Sequence, residues 1–132
     1  MLFNPTRFNS DSQDLILTIN NHSISKVTSI KFLGLFIDGK LEWNIHIQDV
    51  CKTLRTYVSI FYKLSLRLPT HILRMLYFAL VHPKILYSLE LYANTYTTHL
   101  HDLEILNNRI LRNIQHKTLN TNKIELYKTF NT

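Results

Sequence analysis

The residues that could do chemistry in this chain are its carboxylates, its histidines, one cysteine and an excess of cations. Metal-dependent phosphoryl chemistry needs carboxylates that converge on an ion. The nine Asp and Glu residues are instead scattered from Asp11 to Glu125. Asp102 and Glu104 are two positions apart on an expected helix and point to different sides of it. They read as surface charge, and no catalytic residue is predicted. Among seven histidines, His99 and His101 form the only close pair. A zinc ion takes three or four protein ligands, so this pair reads as solvated polar residues. His46, near Trp43, reads as structural. Cys51 falls on an apolar helix face and reads as a buried, inert thiol. Two glycines are too few for a glycine-rich phosphate loop. No metal or cofactor is expected in this chain.

The cations are more informative. Lys52, Arg55 and Lys63 share one side of an expected helix, with Ser59 between them. Arg67 and Arg74 flank Pro69, and Lys84 follows Pro83. From Lys40 to Glu90 there are seven cations, at 40, 52, 55, 63, 67, 74 and 84, against three acids, at 42, 49 and 90. The whole chain carries a formal charge of +6, with a pI near 9.6. Such a balance favours polyanionic partners, either nucleic acid or an anionic membrane surface. A ridge of cations neutralises phosphates and binds them in a salt-sensitive, sequence-independent way. The competing reading is an ordinary solvated helix face. Tyr57 and Tyr62 have the chemistry to stack on bases, but aromatics at helical spacing are usually core, and that is the reading here.

These residues must be positioned by local structure. The first fourteen residues are polar, with turn chemistry at Asn4-Pro5, Asn9-Ser10 and Asp11-Ser12. Leu15 to Ile19 reads as a strand, residues 20–23 as a turn, and Ile24 to Lys31 as an alternating segment. Phe32 to Ile37 reads as one near-continuous apolar strand, the pattern of a strand covered on both faces. Asp38-Gly39 is a turn signal. From Trp43 to Leu64 the apolar steps change to threes and ones, which is a helix with Asn44 at its start. A second helix should open with Thr70 as N-cap and be kinked or stopped by Pro83. Further helical turns follow at 85–92, and a polar stretch at 94–98 separates them from a helix over Leu100 to Ile114. A last short helix starts at a capping-box-like pair, Asn122 and Glu125.

The expected fold is α+β and mostly α, a short N-terminal β-hairpin followed by a bundle of three or four helices. The boundary falls between residues 41 and 42. The doubly apolar strand predicts either a missing sheet that covers it or self-association through it. The longest apolar run, Met75 to Val81, is far below the ~20 residues of a membrane span. No signal-peptide-like run appears in residues 1–10, and a lone cysteine argues against a disulfide framework. A soluble intracellular protein with no membrane role is expected.

A resemblance runs from about Ile30 to Ile114. Ile30-Lys31-Phe32-Leu33-Gly34-Leu35-Phe36-Ile37-Asp38, followed by Leu41-Glu42-Trp43-Asn44-Ile45-His46-Ile47, resembles the stretch after the catalytic palm in non-LTR retrotransposon reverse transcriptases, of the LINE and jockey kind. That family reads there as a Phe-Leu-Gly strand, a turn, and Leu-x-Trp-x-x-His-Ile. Leu64 to Pro69, Leu73 to Tyr77 and His82 to Tyr87 are similar to the helical region that follows. Leu103, Leu106, Arg109, Arg112 and Ile114 are similar to the helix carrying the family's Leu-Gln-x-x-x-x-Arg pattern. The resemblance implies that Phe32, Leu33, Gly34 and Leu35 belong to the primer-grip hairpin. Gly34 fits as a strand glycine that lets another backbone approach. It implies that residues 1–41 are a palm remnant with that hairpin and that residues 42–132 are a thumb-like region. The cations Lys52, Arg55, Lys63 and Arg67 would then face the template–primer, an RNA or RNA–DNA hybrid duplex. Asn4-Pro5-Thr6-Arg7 would be the worn end of the last palm motif.

The sequence also departs from the family. The aromatic-x-Asp-Asp turn that holds Mg2+ in the parent polymerase is not in this chain. Ser88 and Tyr92 stand where the family often has Gly and Trp, and Asn107 stands at the usual glutamine. The resemblance therefore implies a fragment of an RNA-directed DNA polymerase that does not polymerise by itself, retains at most template–primer binding, and pairs with a palm domain. The alternative is a basic helical module that binds nucleic acid or protein with no polymerase role.

Overall fold

The computed structural model describes residues 17–87, 89–93 and 97–130. Outside the described residues lie the Asn4-Pro5-Thr6-Arg7 motif and the other turn residues of the first fourteen, Leu15 and Ile16 of the first expected strand, Ser88, residues 94–96 of the polar stretch, and the side chain of His99. The architecture is α+β and mostly α: small antiparallel hairpins, then helices. The chain divides into two compact units, Met1–His46 and Ile47–Thr132.

In the first unit, β1 (Thr18–Ile19) pairs with β2 (His22–Ser23). The two residues between them, Asn20 and Asn21, have φ of 49° and 63°. Asparagine tolerates this left-handed region because its short amide bonds locally, and two such residues make the turn that suits strand twist. The second hairpin pairs β3 (Ser29–Phe32) with β4 (Leu35–Asp38), with Phe32 opposite Leu35 and Ser29 opposite Asp38. Its turn is Leu33-Gly34, with φ of 49° and 81°. The expected continuous strand from Phe32 to Ile37 is therefore corrected: the chain reverses inside it. Gly34 supplies a positive φ at no steric cost, which lets the reversal fall within an apolar run. Leu35 is 7% exposed, but Phe32 and Leu33 are 58% and 72% exposed. The Asp38-Gly39 signal ends β4: the Asp38 carboxylate accepts the backbone N–H groups of Lys40 and Glu42 at 3.2 and 2.9 Å.

Helix α1 (Asn44–Ser65) runs from the last residues of the first unit into the second. Its apolar repeat buries Ile47, Val50, Cys51, Leu54 and Phe61. The helix tightens at its end, where Leu64 O accepts from both Arg67 and Leu68 N–H. Pro69, not Thr70, is the N-cap of α2 (Thr70–Leu76). Its ψ of 153° sets the entry, and its carbonyl accepts from Ile72 and Leu73 at 3.1 and 3.2 Å. Proline suits this place because a helix start needs no N–H from it.

Pro83 neither stops the helix nor leaves it regular. A π-type turn, Tyr77–Val81, precedes α3 (His82–Leu86), and His82 N–H reaches back five residues to Tyr77 O. In an α-helix the proline ring would crowd the Ala79 carbonyl and leave it without a donor. One extra residue in the turn relieves that crowding. Two helices follow the short α4 (Leu89–Tyr92): α5 (Thr97–Gln115) and α6 (Lys123–Phe130). Asn122 caps α6, its Oδ1 accepting from Ile124 N–H at 3.1 Å, while Glu125 pairs with Lys117.

A buried polar chain ties α6 down. Tyr77 OH donates to Asn107 Oδ1 at 2.9 Å, Asn107 Nδ2 donates to Tyr127 OH at 3.2 Å, and Tyr127 OH donates to Asn108 Oδ1 at 2.9 Å. Beside it, Phe130 meets Tyr77 edge-on at 5.0 Å and stacks on Phe78 at 5.8 Å, with the Arg74 guanidinium over both Phe78 and Phe130.

Truncating fully buried Ile110 to Ala is expected to cost about 2–5 kcal/mol in a urea unfolding titration. The same change at exposed Met75 is expected to stay within about 0.5 kcal/mol. Burial pushes the phenols of Tyr77 and Tyr92 up to about 12, with Asn107 opposing the shift at Tyr77 and Cys51 adding to it at Tyr92. The fold thus favours the neutral phenols. Stability from this source is complete below about pH 10 and is lost as pH rises towards 12. Thermal midpoints measured from pH 8 to 12 are expected to fall most steeply above pH 10, alongside phenolate absorbance.

Candidate nucleic-acid interface

The second unit presents its cations through the geometry of α1. Because Val50, Leu54 and Phe61 are buried, residues half a turn away face solvent. Lys52, Arg55, Ser59 and Lys63, spaced three and four apart, are all exposed on that side. Arg67 is exposed in the turn after α1. Among the described residues, none of these four cations forms an ion pair with a carboxylate. Asp49 is the only acid within α1, and Lys84 offsets it at 4.0 Å. From Lys52 onward that side of α1 therefore carries cations and no carboxylate. Arg74 is engaged differently, lying 5.8 and 5.6 Å from the ring centres of Phe78 and Phe130.

The expected hairpin residues are grouped as well. Phe32, Leu33 and Gly34 are exposed at the tip of the β3–β4 hairpin, and Leu35 is buried. Gly34 lies in the turn and not in a strand, so the close-approach role expected of a strand glycine does not apply to it. The hairpin belongs to the unit Met1–His46 and the four cations to the unit Ile47–Thr132.

One residue was misjudged from sequence. Tyr57 is half-buried, but Tyr62 is 59% exposed and is not core. The signal was present in the spacing. Tyr62 is seven residues after Arg55 and three after Ser59, which is the repeat of the cationic side.

The other candidates do not assemble. Among the described residues, no three His, Cys, Asp or Glu side chains could hold one metal ion. Glu104 pairs with Lys123 at 2.6 Å, and His82 packs on the Phe78 ring at 5.2 Å. His46 is buried at the start of α1. No helix of the described residues is long and apolar enough to cross a membrane.

Cys51 is buried, and burial pushes its thiol up, with Asp102 adding to the shift and Arg55 opposing it. The nucleophile is the thiolate, so both access and ionisation disfavour reaction. A thiol reagent at pH 8 is expected to leave the folded chain unmodified and to modify one thiol per chain in denaturant, read by mass spectrometry. A scan of protein-family models finds none that matches this chain, and neither the curated proteins nor the solved structures hold a match.

Proposed function

We propose that this chain is the primer-grip and thumb segment of a reverse transcriptase of the non-LTR retrotransposon kind, and that it binds template–primer duplex without polymerising. One observation supports the reading most. Lys52, Arg55 and Lys63 line the solvent side of α1 with no carboxylate partner among the described residues, and Arg67 follows them. Unpaired cations at this spacing meet successive phosphates and release the counterions condensed there. Exposed Phe32 and Leu33 at the β3–β4 tip are the groups that would contact a primer end. The chain has no aromatic-x-Asp-Asp motif, so nucleotide addition would need the carboxylates and Mg2+ of a palm domain.

The test is binding of the full chain to a labelled RNA–DNA primer–template, titrated with salt. Affinity is expected to fall steeply as salt rises. Changing Lys52, Arg55 and Lys63 together to Ala is expected to weaken binding at least about tenfold and to flatten the salt slope by about three. A folded wild-type chain that binds no nucleic acid would sink this reading. The protein-interaction alternative, in which the exposed β3–β4 hairpin pairs with another chain, would then stand in its place.

A further inference from the structure

The cationic side of α1 differs from a plain phosphate-binding ridge in one respect: it carries an exposed aromatic ring. Tyr62 is 59% exposed, and no hydrogen bond or ring contact of its side chain occurs among the described residues. On α1, Tyr62 stands three residues after Ser59 and seven after Arg55, with Lys63 the next residue in sequence and Leu66 and Arg67 in the turn that follows the helix. Leu66 is itself exposed, so the ring lies beside a small apolar surface framed by cations. Nothing in the core requires a tyrosine here.

We infer that Tyr62 is a base-stacking residue, and that the solvent side of α1 holds the unpaired strand beside the primer end of a template–primer in preference to its paired stem. The inference rests on the nucleic-acid-binding reading above and narrows its substrate. Charge complementarity names the occupant: four cations, and no carboxylate on this side beyond the Asp49 that Lys84 offsets. The ring decides between paired and unpaired strand. Within a duplex both faces of each base are already stacked, so a tyrosine on a helix surface has no free face to meet. In a single strand, or in an overhang beside a primer end, every base offers one. The dimensions agree. At ~1.5 Å per residue, Lys52 to Lys63 spans roughly 16 Å of helix. That leaves room for a few successive nucleotides of an unpaired strand, whose phosphates a ridge of cations can follow. Arg55 and Lys63 then hold phosphates of the strand whose base Tyr62 stacks.

The experiment compares three labelled probes on the full chain: a single strand of about twelve nucleotides, a blunt duplex, and that duplex with a five-nucleotide overhang. Each is made as RNA and as DNA, and the single strand and overhang carry one 2-aminopurine. The wild type is expected to bind the single strand and overhang more tightly than the blunt duplex and to quench the 2-aminopurine. Tyr62→Ala is expected to lose about tenfold in affinity for those two probes, with the quenching abolished and blunt-duplex binding unchanged. Tyr62→Phe, which keeps the ring, is expected to keep both. Unchanged helicity by circular dichroism shows that either variant folds, as an exposed site allows. If the triple cation variant loses binding but Tyr62→Ala loses none on any probe, the stacking role is overturned and the duplex-binding reading survives. If the folded wild type binds no probe at all, both fall.

Discussion

Burial of Val50, Leu54 and Phe61 decides the direction of every other side chain on α1. A helix turns 100° per residue, so one dry stripe leaves a single opposite side for water. Lys52, Arg55, Ser59, Tyr62 and Lys63 occupy that side because the stripe is where it is. The hydrophobic stripe and the cationic side are one feature seen from two directions. Any change that rotated α1 would bury cations without partners, at a cost of several kcal/mol each.

The rest of the second unit holds together through polar bonds placed inside apolar packing. Asn107 and Asn108 are buried on α5, where uncompensated amides would be costly. Tyr77 and Tyr127 satisfy them in a chain of three hydrogen bonds that runs from the π-type turn through α5 to α6. Such bonds are directional, whereas Leu126 and Phe130 would tolerate sliding. The chain of bonds therefore sets the register of α6, while the aromatic contacts of Phe130 supply area. On the opposite edge of α5, Asn113 Nδ2 donates to Val58 O at 3.2 Å and links α5 to α1.

Much of this was legible in the residues. The helices announce themselves through apolar spacing, Asn122 announces its cap, and Cys51 falls on the buried stripe as its spacing requires. The errors have physical causes. Phe32 to Ile37 looks like one strand because its residues are all good strand formers, and the reversal at Leu33-Gly34 depends on backbone dihedrals that the apolar pattern does not encode. Pro83 looks like a helix stop, but the preceding turn widens to accept it. Tyr62 looks like core because aromatics on helices usually are, and only its angular position relative to Arg55 argues otherwise.

By itself the sequence determined the class of fold, the helical spans, the positive charge and the scatter of its carboxylates. These follow from local preference and from period, which need no knowledge of distant residues. The tertiary structure alone decided where the first apolar run reverses, which of Tyr57 and Tyr62 is exposed, that Arg74 lies over two rings, and that Tyr77, Asn107, Tyr127 and Asn108 meet. Those outcomes join residues up to 56 positions apart. They depend on which surfaces meet when the helices pack, and that information is distributed over the whole core.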